Sequence, residues 1–264
     1  MLPSFDRTWR GTEPGKPKIL ILVVKDRLKQ LDEPFLYIAV ERTEKCDEPL
    51  SSLVLKYHVI DRHDTSVSSG GFFSANYCAL SNRISLTGGA VFLDPPYIQG
   101  QRVGTYLMNE VVSWARQWPA AMISPISLSE SQANPENKDR RNRFYEQFGI
   151  EFDYADPECL AGLSRSMPAG DLVNVSTWTE NIEEVAVPRF LSQLIDDNHQ
   201  RSMDIRALKG ANGDLRVEID RAEASPWLWA ASFWFRKHFG RLIVIIMLSL
   251  AGAGAYLQYV KHGL

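Results

Sequence analysis

Cysteine and histidine are scarce in this chain, and neither is grouped. Cys46, Cys78 and Cys159 form no CxxC pair and no even set for disulfides, which predicts a reducing compartment and argues against a zinc site. The five histidines are scattered, and the nearest pair, His58 and His63, has the wrong spacing to share a helix face. We therefore predict that the protein binds no metal.

An excess of charge of one sign is also lacking. The chain has 29 Lys and Arg against 32 Asp and Glu, and its formal net charge is −3. This balance gives no support for nucleic-acid binding. The first residues are polar and interrupted by Pro and Gly, so they predict no signal peptide. The chain contains neither GxxxxGK[ST] nor GxGxxG, which excludes a P-loop and leaves a Rossmann site without support.

One long hydrophobic run stands near the C-terminus. Residues 242–260 carry no charge over 19 residues, a length of roughly 28 Å as a helix against a hydrocarbon core of about 30 Å. Arg236, Lys237 and Arg241 precede the run and only Lys261 follows it, which places the N-terminal part in the cytoplasm. The run predicts a single-pass membrane anchor; the alternative is a buried C-terminal helix of a soluble domain. Aromatic residues typical of membrane interfaces precede it at Trp227, Trp229, Phe233, Trp234, Phe235 and Phe239, and Tyr256 and Tyr259 mark its far end.

Strands dominate the prediction for the first part of the chain. Apolar runs and alternating patterns predict them at residues 18–25, 35–42, 51–61 and 83–94. The Gly-Gly pair within the last of these is a hairpin turn or a bulge. Residues 26–34 fit a short helix or a loop, and residues 61–76 are loop-like at their start.

Helices alternate with strands in the next part. Residues 102–118 predict a helix, because Val103, Leu107 and Val111 recur at helical spacing. A strand follows at residues 121–129, where Pro125 indicates an irregular or edge position. The sequence NPENKDRRNRFYEQFG then predicts a capped basic helix that ends at Gly149, and IEFDY predicts a strand.

The sequence pattern differs in residues 155–226, which we interpret as a connector to the membrane. Residues 159–171 resemble a loop, residues 183–210 carry a helical pattern that could serve self-association, and residues 213–220 resemble a strand. The predicted domains are therefore a folded domain at 1–155, a connector at 156–226, and a juxtamembrane and transmembrane part at 227–264.

The junction between the strand at 83–94 and the following helix can hold an anion. A helix that begins directly after a strand presents free backbone N–H groups and the positive end of its dipole. Gly100 and Gly104 allow a ligand to approach the backbone, and Gln99, Gln101 and Arg102 supply side-chain donors. Glycines at such turns also occur for purely structural reasons, so the loop alone leaves both interpretations open.

Two segments together resemble the GNAT acyltransferase superfamily. QGQRVGTYL (99–107) is similar to the Q/R-x-x-G-x-G/A loop, with Gln99 at its first position and Gly104 at its last. FYEQFGI (144–150) is similar to the second signature of that family, F-Y-E-x-x-G-F. The resemblance covers roughly residues 80–154 and follows the order of the family.

The resemblance implies a fold, a substrate and a site. The fold would be α/β, with a mixed, largely antiparallel sheet and flanking helices, to which this chain adds a C-terminal transmembrane helix. Acetyl-CoA would be the acyl donor, with its pantetheine arm between two splayed strands and its pyrophosphate on the loop. An amine would attack the thioester carbonyl, and a backbone N–H would stabilise the oxyanion. The implied cofactor-binding residues are Phe92, Leu93, Gln99, Gly100, Gln101, Arg102, Val103, Gly104, Thr105 and Asn137.

The resemblance also implies the catalytic residues. Tyr145 would be the general acid that protonates the leaving thiolate, because a phenol keeps its proton at neutral pH; alternatively, Tyr145 is a packing residue. Glu130 and Asp94 lie near the ends of the two strands, and either could act as a base through water or be a surface carboxylate. Asn134 or Asn137 stands for an asparagine of the family, or merely caps the helix.

The chain departs from the family pattern at several points. Arg102 stands where the family usually has Gly, and its side chain would point to solvent or to a phosphate. Strands are predicted where the family has two helices that form the acceptor side. The basic helix could meet the 3′-phosphate of the cofactor or could be a solvated face; its cations are Lys138, Arg140, Arg141 and Arg143.

Two functions fit this sequence. The first is a membrane-anchored N-acyltransferase whose acceptor is an amine of a protein or a small molecule. The second is an inactive GNAT-like module that binds or regulates at the membrane. The small residues AGAGA (251–255) could pair two membrane helices, so a homodimer is possible, or the helix is a simple anchor.

Overall fold

The computed structural model describes residues 18–27, 34–60, 70–86, 93–133 and 137–262. The chain divides into two compact units, the first ending at Gln193 and the second beginning at Leu194. The described residues form ten strands and four α-helices. The strands are β1 (Lys18–Lys25), β2 (Pro34–Asp47), β3 (Leu50–Ile60), β4 (Gly70–Cys78), β5 (Arg83–Ser85), β6 (Met122–Ile123), β7 (Ser127–Leu128), β8 (Phe152–Tyr154), β9 (Gly162–Ser164) and β10 (Ile182–Ala186). The helices are α1 (Val103–Ala115), α2 (Lys138–Glu146), α3 (Val187–Ala224) and α4 (Pro226–His262).

A seven-stranded sheet forms the centre of the first unit, in the order β10-β1-β2-β3-β4-β5-β6. Every neighbouring pair is antiparallel except β5 and β6, which run parallel with Arg83 opposite Met122 and Ile84 opposite Ile123. Buried and more exposed side chains alternate along the middle of β2 and β3, so every second side chain there lies in the core. The predicted mixed α/β class with a largely antiparallel sheet is therefore confirmed.

The strand predicted at 121–129 is divided at Pro125, as its sequence indicated. Ser124 N–H still donates to the Ile84 carbonyl at 2.7 Å. Beyond the proline, Ile126 N–H donates instead to Ser164 Oγ at 2.8 Å. β7 then pairs with β9 in a second sheet of order β7-β9-β8. The parallel partners β5 and β6 thus share only a short stretch before the chain turns to another sheet.

Helix α1 packs against the large sheet through a nearly continuous apolar surface. Val103, Leu107 and Val111 are fully buried, which confirms the predicted helical pattern. A buried ion pair accompanies this contact, since Arg42 of β2 donates to Glu110 of α1 at 2.8 Å. Both charges are removed from water, so their pairing fixes the helix on the sheet.

Three predictions about residues beyond 155 are wrong. Gly162–Ser164 is a strand inside a predicted loop, and Ile182–Ala186 is a strand at the start of a predicted helix. Residues 213–220, predicted as a strand, lie inside α3. Their alternating Leu215, Val217 and Ile219 fit a strand, but Leu215 and Ile219 also lie one helical turn apart, and the long flanking helix continues through them.

The end of the first unit differs from the predicted domain boundary at 155. β8 and β9 pair with each other and β9 pairs with β7, while β10 adds an edge to the large sheet beside β1. These pairings join distant parts of the chain, so the first unit includes residues up to Gln193. The Gly-Gly pair at 88–89, Phe92, Asn134 and most of residues 26–34 lie outside the described residues.

The hydrophobic C-terminal segment is helical, within α4. Among the described residues, no single helix meets by itself the combined requirement of length and hydropathy for crossing a membrane. The segments Pro226–Arg241 and Ile243–Gly254 meet it together, with a bend of 49° between them.

Candidate functional site

The loop before α1 is held closed by its own first glutamine. A short 3-10 helix, Pro96–Ile98, places Ile98 in the core and leads into Gln99. The Gln99 side chain then donates from Nε2 to the Leu93 carbonyl at 3.0 Å. Gln99 therefore fixes the distance between Leu93 and the loop. Gly100 follows with φ +82°, a conformation that glycine adopts without strain.

Gln101 is buried and fastens the loop to the end of β1. Its Nε2 donates to Asp26 Oδ1 at 3.3 Å, and its Oε1 accepts from the Arg27 N–H at 3.1 Å. Its carbonyl accepts from Asn181 Nδ2 at 3.1 Å. The side chain predicted to donate to a phosphate thus holds two protein groups, and its contribution is to the shape of the loop.

Arg102 has a backbone conformation that glycine adopts more readily than other residues. Its φ of +62° lies in the left-handed region, which costs a non-glycine residue energy. Its guanidinium donates to the Thr177 carbonyl at 2.5 Å and to Glu180 Oε2 at 2.6 Å. The side chain is therefore turned to residues 177–180, where the sequence suggested solvent or a phosphate.

The N-terminus of α1 has no side-chain cap. Tyr106 N–H donates to the Arg102 carbonyl at 2.9 Å, so the amides of Val103, Gly104 and Thr105 precede the first hydrogen bond of the helix. Helix geometry directs such amides along the axis, beyond the helix end. Together with the helix dipole they favour an anion near this end.

The two segments that resemble the family signatures meet at Gly104. A methyl group added at Gly104 would lie 3.1 Å from Leu93 Cδ1 and 3.5 Å from Phe144 Cε2. One turn further along α2, Gln147 Nε2 lies 3.4 Å from Thr105 Oγ1. The fold therefore brings together the start of α1, Leu93 and α2, although α1 and α2 are about 40 residues apart in sequence. Leu93 and Asp94, predicted as the end of the strand at 83–94, are not in a strand, since β5 ends at Ser85 and residues 87–92 lie outside the described residues.

Tyr145 lies beside this meeting point with its ring in an aromatic cluster. The ring contacts Phe144 at a centroid distance of 5.1 Å and Phe152 of β8 at 5.5 Å. No hydrogen-bond partner for its hydroxyl lies among the described residues. Burial raises the pKa of Tyr145 above its ordinary value, and the positive charge of Arg141 opposes the rise. The phenol therefore stays protonated throughout the neutral range.

The two carboxylates predicted as possible bases differ in their surroundings. Glu130 begins a short 3-10 helix directly after β7 and is exposed. Asp94 is half-buried, and its backbone N–H donates to the Tyr57 hydroxyl at 2.9 Å. Burial raises the pKa of Tyr57, the hydrogen bond from the Asp94 amide opposes the rise, and the negative charge of Asp94 adds to it. The role of either carboxylate as a base stays a prediction.

Asn137 stands at the start of α2 without a side-chain cap bond to the helix. Its Oδ1 instead accepts from Arg140 at 2.8 Å. Arg141 is buried and donates to the carbonyls of Ser129 and Leu160, both at 2.9 Å. Two cations of the basic helix are thus joined to protein groups, and Arg141 links the end of β7 to the loop before β9.

Sequence reasoning missed the residues that hold the candidate site in place. Asp26, at the end of β1, and the segment Thr177–Asn181 bind the loop through Gln101 and Arg102. These partners lie more than 70 residues from the loop in sequence, and no local pattern marks them. Tyr106 extends the same contact, because its ring packs edge-on against Trp178 at 4.9 Å.

The described residues contain no group of three or more His, Cys, Asp or Glu side chains that could hold a metal ion. Comparisons with protein-family models, with curated proteins and with solved structures find no match for this chain. The functional assignment therefore depends on the geometry of the site and on the chemistry of its residues.

Proposed function

We propose that this chain is an N-acyltransferase that moves an acetyl or related acyl group from acetyl-CoA to an amine. One observation carries the proposal: the uncapped start of α1 meets Leu93 and helix α2 at Gly104. This arrangement joins an anion site for a pyrophosphate to a tyrosine that can act as an acid. The relevant residues are those of the two segments that resemble the GNAT signatures.

The pyrophosphate would lie at the amides of residues 99–105. Gly100 is suited to such an approach, because a methyl group added there would meet no other atom within 4 Å. The loop is rigid on its protein side, where Gln99, Gln101 and Arg102 are already bonded. A preformed set of backbone donors binds an anion without first ordering flexible side chains.

The pantetheine arm would lie where the parallel partners separate. β5 and β6 pair only at Arg83–Met122 and Ile84–Ile123, and β7 then takes β9 as its partner. The backbone groups of residues 124–128 that are not already bonded to Ile84, Ser164 or β9 would be available to amides of the arm, as in strand addition to a sheet edge. This gap would bring the thioester toward Tyr145 from the side of α1.

The chemical step needs one nucleophile and one acid. The lone pair of the acceptor amine would attack the thioester carbonyl carbon, forming a C–N bond and a tetrahedral oxyanion. Collapse would break the C–S bond, and the leaving thiolate would take the proton of the Tyr145 hydroxyl. The proton of the attacking nitrogen would leave to water, with Glu130 or Asp94 as the candidate relay, and a proton from water would restore the Tyr145 phenol, so that the net products are the amide and CoA.

We further propose that α4 anchors the domain at the cytoplasmic face of a membrane. The uncharged run at 242–260 and the preceding Arg236, Lys237 and Arg241 support this location. Acetyl-CoA is a cytoplasmic metabolite, so the proposed donor and the proposed topology agree.

A second function, CoA binding without turnover, is favoured because side chains of the loop are already bonded to other protein groups. Gln101 and Arg102 bind protein groups, and Glu130, one of the two candidate bases, is exposed. A module that binds CoA at the membrane without turnover would need only the backbone site. Binding measurements and turnover measurements separate the two functions.

The binding test compares two substitutions at Gly100 in the full-length protein in detergent. Asn and Asp have the same shape and both tolerate a positive φ, so Gly100→Asp and Gly100→Asn differ only in charge. A carboxylate near the pyrophosphate costs about 1–2 kcal/mol at a protein surface, or roughly tenfold in affinity. We expect calorimetry to show weaker CoA binding for Gly100→Asp and nearly unchanged binding for Gly100→Asn.

The turnover test uses the same preparation with acetyl-CoA and a panel of amines, including spermidine and lysine peptides. Release of free CoA that depends on the amine would support the acyltransferase. Binding of CoA with no release across the panel would support the binding module. Failure of the folded wild-type protein to bind either CoA or acetyl-CoA would contradict both functions.

A further inference from the structure

Helix α3 carries a heptad pattern over residues 194–222 that the function above does not use. The helix spans Val187–Ala224, roughly 57 Å at 1.5 Å per residue. From residue 194 to residue 222, alternating steps of four and three residues pass through nine positions, of which six are apolar. Its apolar members are Leu194, Ile205, Leu208, Leu215, Ile219 and Ala222. We call the line through these positions the α3 seam.

The α3 seam is exposed in the single chain. Leu208 is 66% exposed and Leu215 is 57% exposed, values expected of polar surface residues. An isolated helix of this length gains most of its stability from packing one apolar face. An uncovered seam over four heptads is typical of a coiled coil, so the seam predicts a partner helix.

Polar residues within the seam indicate that the partner is a second copy of this chain. With Leu194 at position d, Asn198 and Asn212 fall at position a, one heptad on either side of Ile205. Asparagine at position a pairs with the same asparagine of an in-register parallel helix, and it selects a two-stranded coiled coil. Two such layers in one seam fix both the register and the parallel direction.

Charges beside the seam match the same register. Asp204 at position g faces Lys209 at position e of the other helix in a parallel dimer, and the symmetry repeats this pair on the opposite side. Glu218, also at position g, lies 3.7 Å from Arg236, which reduces its repulsion with Glu223 of the other copy. Arg201 is the one charged residue at a seam position between 194 and 222, and Asp197 and Asp204 lie one turn away on either side.

The remaining surface of the helix agrees with this orientation. Gly210 and Gly213 weaken a helix, yet they fall at the outer positions f and b, where they leave the seam intact. The groove between α3 and α4 is lined by Val217, Glu218 and Arg221 from α3. Val217 and Arg221 fall at the outer positions f and c and Glu218 at position g, so none of the three is a seam residue, and the neighbouring seam residues Leu215 and Ile219 stay 57% and 55% exposed.

We propose that residues 194–222 of α3 pair with the same segment of a second copy as a parallel, in-register, two-stranded coiled coil. The dimer would align two C-terminal helices in one direction, as insertion in a single membrane requires. The proposal does not depend on acyl transfer, because the seam shares no residue with the candidate site.

The first experiment measures the mass of the full-length protein in detergent by light scattering after size exclusion. Leu208→Asp places a carboxylate from each copy into one apolar layer, while Met203→Asp makes a comparable change at the outer position f. Loss of two buried leucines predicts that the dissociation constant rises roughly 100-fold or more for Leu208→Asp. We expect dimers for the wild type and Met203→Asp, and monomers for Leu208→Asp.

The second experiment tests direction and register by disulfide formation in a chain whose Cys46, Cys78 and Cys159 are replaced by Ser. Asn212→Cys at position a should cross-link to itself under mild oxidation, and Met203→Cys should not. A monomeric wild type, a dimer unaffected by Leu208→Asp, or a dimer in which Asn212→Cys fails to cross-link would each overturn the proposal. The second of these outcomes would point to the membrane helices as the contact.

Discussion

At the scale of single residues, Tyr145 connects the packing of the site to its proposed chemistry. Tyr145→Phe removes one oxygen and keeps the aromatic cluster with Phe144 and Phe152. If Tyr145 is the general acid, we expect Tyr145→Phe to lower turnover by roughly 100-fold or more with little change in KM. The measurement is the steady-state release of CoA with the amine that gives the highest rate.

Tyr154→Phe is the matched control for this prediction. Tyr154 stands on β8, two residues after Phe152, and its ring lies in the same cluster. The substitution removes the same atom from a nearby tyrosine, and we expect turnover close to that of the wild type. Equal turnover of the two variants would assign Tyr145 a packing role.

We predict that the folded protein loses stability at alkaline pH because the Tyr57 side chain is buried. Burial raises its pKa above the ordinary value of 10.0, so the folded protein keeps a proton that the unfolded chain releases near pH 10. Its stabilising contribution is complete below pH 10 and is lost as the pH rises toward the folded-state pKa, by at most about 1.4 kcal/mol per pH unit. Tyr57→Phe should therefore show a shallower decline in thermal midpoint between pH 9 and pH 11. A decline as steep as that of the wild type would contradict the prediction.

At the scale of elements, the buried pair of Arg42 and Glu110 holds α1 on the sheet. Their side chains are 5% and 1% exposed and lie 2.8 Å apart. Arg42→Leu leaves Glu110 buried without this partner, so we expect it to lower the free energy of unfolding by about 3–5 kcal/mol. Glu110→Leu should lower it by less, because Arg42 Nε still donates to Glu44 at 2.7 Å. The double variant should lose less than the sum of the two single losses, because neither charge of the buried pair is left without the other, and Glu44 alone loses a partner. Denaturant unfolding measures all three.

An exposed pair on the same sheet serves as the control. Lys56 and Glu41 lie 3.7 Å apart with side chains 67% and 38% exposed. Such a pair contributes at most about 1 kcal/mol, and we expect Lys56→Leu to change stability within that limit. A loss at Arg42 no larger than at Lys56 would show that the buried pair does not hold the helix.

At the scale of the whole molecule, the proposed anchor predicts binding to lipid vesicles. Ile246→Asp with Leu250→Asp places two charges within the hydrophobic run, at a cost of about 2.5–3.5 kcal/mol each in a membrane. We expect the wild type to float with the vesicles and this variant to remain in the dense fraction. Leu80→Asp with Met203→Asp, two exposed residues outside the run, should float like the wild type. Flotation of the charged variant would contradict the anchor.

The sequence by itself determined the elements that depend on local pattern. β1 begins and ends at the residues predicted from its apolar run, and α1 follows from Val103, Leu107 and Val111. Pro125 marked the break between β6 and β7, because proline cannot donate to a strand ladder. In each case the deciding interaction lies within a few residues, so the pattern was sufficient.

Only the tertiary structure decided which side chains of the candidate site are free. Gln101 and Arg102 looked like phosphate donors in sequence, but Asp26 and Glu180 bind them from 75 and 78 residues away. Leu215, Val217 and Ile219 alternated like a strand, yet the surrounding helix α3 included them. Such outcomes depend on contacts between distant segments, and a local pattern contains no information about which distant group will supply the competing hydrogen bond or packing surface.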